Sequence, residues 1–162
     1  MEKKFSIFEV LEIAERIEHN AAKFFLKAAE LFDDPQLRDI YYKLANWRAK
    51  HEKILTQRRK DYSEKTGELG TFDPDDYVLS NPEVMASLTW LGSKPDPAKE
   101  LTGRESREEI LNDAVRRADE VIAFYEGLKD FARDPPGEAA IDKIIDEEKH
   151  HIRLLTEQLE QQ

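Results

Sequence analysis

The sequence predicts an all-α protein, an antiparallel four-helix bundle made of two helical hairpins that a long crossover joins. Of its 162 residues, 37% are charged and 40% are apolar, a balance that suits long amphipathic helices better than a sheet. Apolar residues recur at helical spacing in four long segments. Two links between these segments are short and one is long, which is the connectivity of two hairpins in one bundle.

The first hairpin is predicted from two helix-start signals. Helix one begins at Ser6, which forms a capping box with Glu9 three residues later. Helix two begins after the break at Asp34, with Asp34 as the cap and Pro35 in the first turn, and it extends to about Glu64. The predicted apolar stripes are Leu11, Ala14, Ala21, Phe25, Ala28 and Phe32 on helix one, and Leu37, Tyr41, Leu44, Ile54 and Leu55 on helix two.

The crossover is predicted over about residues 65–104. It contains three Asp–Pro or Asn–Pro steps, which break regular structure. One or two short helices are expected within it, one of them around residues 82–91. A connection of this length is typical of a chain that passes from one end of a bundle to the other, so residues 1–162 are predicted to form a single domain.

The second hairpin repeats the signals of the first. Helix three begins near Ser106, where Ser106 and Glu109 form another capping box, and the segment "RDPPGE" at 133–138 ends it. The predicted stripes are Ile110, Leu111, Ala114, Val115, Ala118, Ile122, Tyr125 and Leu128 on helix three, and Ile141, Ile144, Ile145, Ile152, Leu155 and Leu159 on helix four.

The two hairpins align with each other at an offset of one hundred residues. Residues 11–55 and 111–155 share 9 identities in 45 positions without a gap. The matches include both helix breaks and both histidines on the predicted buried faces, which indicates an internal repeat. The matched features are Phe24–Phe25 with Phe124–Tyr125, Asp34–Pro35 with Asp134–Pro135, and His51 with His151.

Titratable residues interrupt the apolar stripes at equivalent levels of the two hairpins. A buried carboxylate without a partner is costly, so these groups need a cation, a metal ion or hydrogen bonds. The interrupting residues are Glu18, Arg48 and His51 in the first hairpin, and their equivalents in the second are Ala118, Glu148 and His151.

Glu148 and His151 are three residues apart, which places them on one face of a helix. One alternative is an ordinary solvated run of charge at "DEEK". Another is the pair Glu147 and His150, one step around the same helix. The helical positions of the apolar neighbours and the match of His151 to His51 favour the pair Glu148 and His151.

Four short motifs in order resemble the rubrerythrin branch of the ferritin-like superfamily. The family pattern places a Glu and, about seven residues later, an aromatic pair on helices one and three, and Glu-x-x-His on helices two and four. The resemblance covers both hairpins, and it implies a ferritin-like four-helix bundle. The matching segments are "EHNAAKFF" at 18–25, "RAKH" at 48–51, "ADEVIAFY" at 118–125 and "EKHH" at 148–151.

The resemblance implies a two-iron centre, but this sequence departs from the family pattern at two ligand positions. Arg48 stands where the family has a bridging Glu, and Ala118 stands where it has a terminal Glu. A guanidinium is always positive and ligates no metal, whereas two irons need negative oxygen ligands. The predicted metal ligands that remain are Glu18, His51, Glu148 and His151.

Two outcomes stay open for this site. In one, a single iron, manganese or zinc ion binds to the four remaining ligands. In the other, no metal binds, and Arg48 points inward and pairs with Glu18 and Glu148 through bidentate contacts. Tyr41, Tyr125 and Trp47 are expected to be core residues.

The function implied by the resemblance is iron handling or an iron-dependent oxidoreductase reaction with peroxide or oxygen. The alternative is a non-catalytic, degenerate bundle that acts as a binding or structural homo-oligomer. The chain has no cysteine, which excludes disulfides and the cysteine-ligated iron domain of full-length rubrerythrins, so a redox role requires a separate electron donor. A homodimer is expected by analogy with relatives.

Composition narrows the partners and the compartment. The formal net charge of −10 argues against nucleic acid as a partner, because phosphates require a basic surface. No apolar run reaches the roughly 18 residues that a membrane span needs, and the N-terminal segment does not resemble a signal peptide. The expected location is therefore the cytoplasm.

Overall fold

The computed structural model describes residues 6–66, 96–132 and 135–161, and these residues form four long helices and one short helix. The four predicted helices are therefore confirmed. Residues 67–95, including the short helix predicted around 82–91, lie outside the described residues. The helices are α1 (Ile7–Ala29), α2 (Pro35–Thr66), α3 (Pro97–Glu100), α4 (Arg107–Lys129) and α5 (Pro135–Glu160).

Both predicted capping boxes are present. At the start of α1, the Glu9 amide donates to Ser6 Oγ at 3.2 Å, and the Ser6 amide donates to Glu9 Oε1 at 3.3 Å. At the start of α4, the corresponding contacts of Ser106 and Glu109 are both 3.1 Å. Each box satisfies two backbone donors that the first helical turn leaves without a partner.

The start of α2 also agrees with the prediction. The Gln36 amide donates to Asp34 Oδ1 at 2.8 Å, and Pro35 occupies the first helical position, where its missing amide hydrogen costs nothing. The helix extends to Thr66, slightly beyond the predicted end. Asp96 caps the short helix α3 in the same way, accepting from the Ala98 amide at 3.0 Å.

The described residues fall into two compact units. One contains the residues up to Val10 together with those from Glu105 onward, and the other contains Leu11–Arg104. In the Leu11–Arg104 unit, the Tyr41 ring stacks on Phe25, with ring centres 6.2 Å apart, and lies 5.2 Å from Phe32. Its buried core residues include Leu11, Ile13, Ala14, Ile17, Ala21, Phe24, Phe25, Ala28, Phe32, Tyr41, Leu44 and Leu55.

In the other unit, α4 packs against α5. Lys129 near the end of α4 pairs with Asp142 of α5 at 2.9 Å. The Phe124 and Tyr125 rings are 5.4 Å apart, close to the 5.5 Å of the equivalent pair on α1. The buried core residues include Ile110, Leu111, Ala114, Ala118, Val121, Phe124, Tyr125, Leu128, Ile141, Ile144, Ile145 and Leu155.

The internal repeat extends to helix bounds and burial. Helices α1 and α4 each have 23 residues and start and end one hundred positions apart, and α2 and α5 also start one hundred positions apart. Six positions between 41 and 55 are buried, and the same six are buried between 141 and 155. These pairs are Tyr41 and Ile141, Leu44 and Ile144, Ala45 and Ile145, Arg48 and Glu148, His51 and His151, and Leu55 and Leu155.

The prediction of Ile54 as a core residue is wrong. Ile54 is 47% exposed, whereas Leu55 is fully buried. Adjacent residues on an α-helix are separated by about 100° around its axis, and the buried face at this level of α2 includes Leu55 but not Ile54. The second hairpin shows the same arrangement, with Leu154 38% exposed and Leu155 buried.

Candidate metal centre

Three polar residues of α1 and α2 are buried in the core of the Leu11–Arg104 unit. The exposed fractions of Glu18, Arg48 and His51 are 0%, 1% and 3%. Arg48 and His51 share a face of α2 because they are three residues apart. The inward orientation that the stripe phase predicts for all three residues is confirmed.

Arg48 and Glu18 form an ion pair between the two helices. Arg48 Nη1 donates to Glu18 Oε1 at 3.2 Å and to Glu18 Oε2 at 3.3 Å. The Nη1 atom of Arg48 therefore contacts both oxygens of the buried carboxylate. The Arg48 charge compensates for the burial of the Glu18 carboxylate.

His51 lies beside the same carboxylate. Its Nδ1 atom is 3.4 Å from Glu18 Oε1. The ring of Trp47, one helical turn earlier, is 5.0 Å from the His51 ring, and the Arg48 Cζ atom is also 5.0 Å from the centre of the Trp47 ring. Trp47 is half-buried rather than a fully buried core residue, and it contacts both the imidazole and the guanidinium.

In the second hairpin, the burial of α5 distinguishes between the two candidate Glu–His pairs. Glu148 is fully buried and His151 is 4% exposed, whereas Glu147 is half-buried and His150 is exposed. The prediction that Glu148 and His151 lie on the buried face is therefore confirmed. Ala118, the equivalent of Glu18, is also fully buried.

The donor chemistry of these residues fits one metal ion better than two. Among the described residues, Glu18, His51 and Glu148 are buried groups of the types that ligate metals. Carboxylate oxygen and imidazole nitrogen together suit divalent iron, manganese or zinc. A two-iron cluster does not fit, because Arg48 adds a positive charge and the Ala118 side chain offers no donor atom.

A second polar network, on the outer side of α1 and α2, was not predicted from the sequence. The Glu15 carboxylate accepts a hydrogen bond from Thr56 Oγ1 at 2.6 Å and another from Arg59 Nε at 2.5 Å. The hydrogen bond between Glu15 and Arg59 raises the pKa of Arg59. His19 Nδ1 lies 3.3 Å from both oxygens of Glu52. The signal that could have found the network is the helical spacing of its members. These side chains line a cleft of about 340 Å³, whose lining residues are Glu12, Glu15, Arg16, His19, Glu52 and Arg59.

A buried arginine on α4 was also missed. Arg117 is 2% exposed, and its Nε donates to Asp113 Oδ2 at 2.7 Å. The spacing of four residues between an acid and a base on one helix face is the sequence signal for this pair.

No described helix combines the length and the apolar character that crossing a bilayer requires.

Comparison with known proteins identifies the fold. No protein-family profile and no curated protein matches the chain. A search of solved structures finds the crystal structure of a candidate ferritin-like diiron-carboxylate protein from Thermotoga maritima, with a TM-score of 0.54 and 20% sequence identity. The match covers 99% of this chain and 98% of that chain. The predicted fold class, an all-α ferritin-like bundle, is therefore confirmed.

Proposed function

We propose that this chain is a metal-binding protein of the rubrerythrin-related branch, with one divalent metal ion in place of a two-iron cluster. Iron is the first candidate, and manganese and zinc are the others. The observation that carries the proposal is the contact of a buried carboxylate and a buried imidazole from two helices, 3.4 Å apart. The proposed ligands are Glu18, His51, Glu148 and His151.

The burial of these groups supports a role in binding. Isolated charges and polar groups are costly to remove from water, so four titratable side chains at 4% exposure or less need strong partners. A metal ion supplies such a partner to carboxylate and imidazole together, and bound iron also supplies one-electron redox chemistry. Because Glu18 and His51 are shielded from solvent, they bind in an environment of low dielectric constant, where electrostatic attraction is strong.

The biological setting follows from the same proposal. The protein handles iron, or it carries out an oxidoreductase reaction with peroxide or oxygen. If the reaction is a redox reaction, a separate protein donates the electrons. The protein works as a homodimer in the cytoplasm.

The test is the metal content of purified protein after anaerobic loading with ferrous iron. We expect about one iron per chain, and we expect Glu148→Ala and His51→Ala each to abolish binding because removal of one ligand weakens a four-ligand site severely. Glu147→Ala and His150→Ala are matched controls on the less buried side of α5, and they should leave the iron content unchanged. If the controls and the ligand variants behave alike, the ligand assignment is wrong.

The second candidate is a structural or partner-binding bundle without a metal. Its support is the contact of Arg48 Nη1 with both oxygens of Glu18, since the guanidinium already offsets the carboxylate charge. Under this alternative, the wild-type protein takes up no iron, manganese or zinc at any concentration that leaves it folded. Metal uptake that depends on His51 excludes it.

A further inference from the structure

Arg48 contacts an anion and an aromatic face at the same time. Its Nη1 atom is 3.2 Å from Glu18 Oε1, and its Cζ atom is 5.0 Å from the centre of the Trp47 ring. A guanidinium remains charged throughout the physiological pH range, so proton loss cannot relieve the burial of this charge. Both contacts therefore help to keep the cation inside the protein.

A metal ion and Arg48 would compete for the same carboxylate. Arg48 Nη1 lies within 3.3 Å of both Glu18 oxygens, and ligation of a metal uses lone pairs of those oxygens. In addition, two cations that lie close together in a buried site repel each other strongly. Binding of a metal to Glu18 must therefore weaken the Arg48–Glu18 pair.

We propose that Arg48 is a resident cation that a metal ion must displace from Glu18, and that Trp47 retains the displaced guanidinium in the core. This inference rests on the proposed metal site at Glu18 and His51. Among aromatic side chains, Trp attracts cations most strongly, and this ring already lies beside the guanidinium.

Competition with Arg48 has a consequence for metal selectivity. It lowers the affinity of the site for every divalent ion. First-row transition metals recover affinity through the imidazole of His51, whereas Mg²⁺ and Ca²⁺ prefer oxygen ligands and do not. The site therefore retains ions such as Fe²⁺, Mn²⁺ and Zn²⁺ and rejects the abundant Mg²⁺ and Ca²⁺.

The second hairpin shows that the fold does not require this pair of side chains. The equivalents of Trp47 and Arg48 are Glu147 and Glu148, and α5 keeps the same buried positions as α2 around them. Neither an aromatic residue nor a cation is needed at these positions to form such a helix. Trp47 and Arg48 are therefore better explained by the chemistry of the Glu18 carboxylate than by helix packing.

The first experiment is calorimetric titration of the metal-free protein with Zn²⁺ and with Mg²⁺. We expect Arg48→Gln to bind Zn²⁺ about tenfold more tightly than the wild type, a typical size for coupling between two ligands, and to gain measurable Mg²⁺ binding. Arg59→Gln is the matched control, because it breaks a different arginine–carboxylate contact between α1 and α2, at Glu15. It should leave both affinities unchanged.

The second experiment separates the role of Trp47 toward Arg48 from its contact with His51. Trp47→Leu should weaken Zn²⁺ binding about tenfold, because the loaded site then holds a buried cation without its aromatic partner. Trp47→Phe should weaken it less. In the Arg48→Gln background, Trp47→Leu should have no effect on Zn²⁺ affinity. An equal loss in that background would mean that Trp47 only orients His51, and the proposed role of Trp47 would be wrong.

The remaining outcomes separate this inference from the proposed function. If His51→Ala removes Zn²⁺ binding but Arg48→Gln leaves the affinity unchanged, the resident-cation inference is wrong and the metal site stands. If neither the wild type nor Arg48→Gln binds any of these metals, both proposals are wrong.

Arg48→Lys is the substitute variant if Arg48→Gln fails to fold. Lysine offers fewer hydrogen-bond donors and makes a poorer contact with the Trp47 ring, so Arg48→Lys should bind Zn²⁺ more tightly than the wild type. Equal affinity would contradict the inference.

Discussion

Arg48 governs the electrostatics of the buried polar cluster. The Glu18 carboxylate has no exposure to solvent, and an unpaired charge there would cost several kcal/mol. Yet a buried ion pair is often no more stabilising than apolar residues of the same volume. Stability alone therefore does not explain why Glu18, Arg48 and His51 occupy positions that an apolar stripe would fill. The proposed metal-binding role accounts for them.

In the metal-free protein, we expect Arg48→Ala to lower the free energy of unfolding by about 3–5 kcal/mol, because it leaves the Glu18 carboxylate buried without its cation. Urea denaturation at neutral pH measures the change. Arg59→Ala provides the comparison. Its side chain is 26% exposed, and its pair with Glu15 is screened by water, so the expected loss is about 1 kcal/mol or less. Equal losses in the two variants would mean that burial does not set the energetics of the Arg48 pair.

Two glycines should respond to alanine with opposite signs. Gly103 has a φ of +84°, and a Cβ atom there would lie 2.8 Å from the Leu31 carbonyl oxygen, so Gly103→Ala should destabilise the protein by about 1–3 kcal/mol. Gly127 lies within α4, and apart from its chain neighbours and the backbone of its own helix no atom lies within 4 Å of such a Cβ, so Gly127→Ala should stabilise by about 0.5–1 kcal/mol. Thermal unfolding of both variants checks the prediction, and a shift in the same direction for both would contradict it.

At the scale of elements, the two hairpins act as internal controls for each other. Their buried positions agree over 41–55 and 141–155, but their outer positions differ. Glu15, Glu52 and Arg59 of the first hairpin correspond to half-buried Val115, Ile152 and Leu159 in the second. The charged network on the outer side of α1 and α2 is therefore not required to form a hairpin of this type.

The helix starts and breaks could be predicted from the sequence because they depend on local chemistry. A capping box such as Ser106 and Glu109 involves residues three apart, so its signal is complete within one turn. The exposure of Ile54 and the contact of Glu15 with Arg59 depend instead on how α1 and α2 pack. The local sequence pattern does not contain that information. For this reason the burial of Ile54 was predicted wrongly and the contact between Glu15 and Arg59 was missed.

The capping box of α4 provides a test at this scale. Ser106 is exposed and is not part of the core, so Ser106→Ala removes the cap without changing packing, and it should lower the free energy of unfolding by about 1 kcal/mol. Ser106→Asp keeps an acceptor and adds a negative charge at a helix N-terminus, so its stability should remain close to that of the wild type. Chemical denaturation compares the three proteins. A loss in Ser106→Asp as large as in Ser106→Ala would contradict the capping role.

At the scale of the whole molecule, the burial of the candidate ligands could be predicted because the repeat constrains their positions twice. His51 and His151 are buried at equivalent positions. The spacing of the apolar residues on α2 that places His51 on the buried face recurs on α5 and places His151 there as well. The details of the Arg48 contact could not be predicted. The distances between Arg48 Nη1 and the two Glu18 oxygens depend on the separation of α1 and α2, which the pattern of residues does not specify.

The same repeat predicts how to restore a two-metal site. Arg48→Glu with Ala118→Glu returns carboxylates to both positions at which this chain departs from the family pattern, and it removes the buried cation. Two dications need this additional negative charge, so we expect iron content after ferrous loading to rise from about one toward two per chain. Ala118→Glu alone should not reach two, because Arg48 remains.

Lys50→Glu with Ala123→Glu is the matched control for that double variant. It makes the same change in charge on the same two helices, but at exposed positions of α2 and α4. It should leave the iron content near one, which separates ligation in the core from attraction of iron to an acidic surface. Circular dichroism establishes that each variant is folded. A folded Arg48→Glu/Ala118→Glu protein that takes up no more iron than this control would show that positions 48 and 118 do not face the metal.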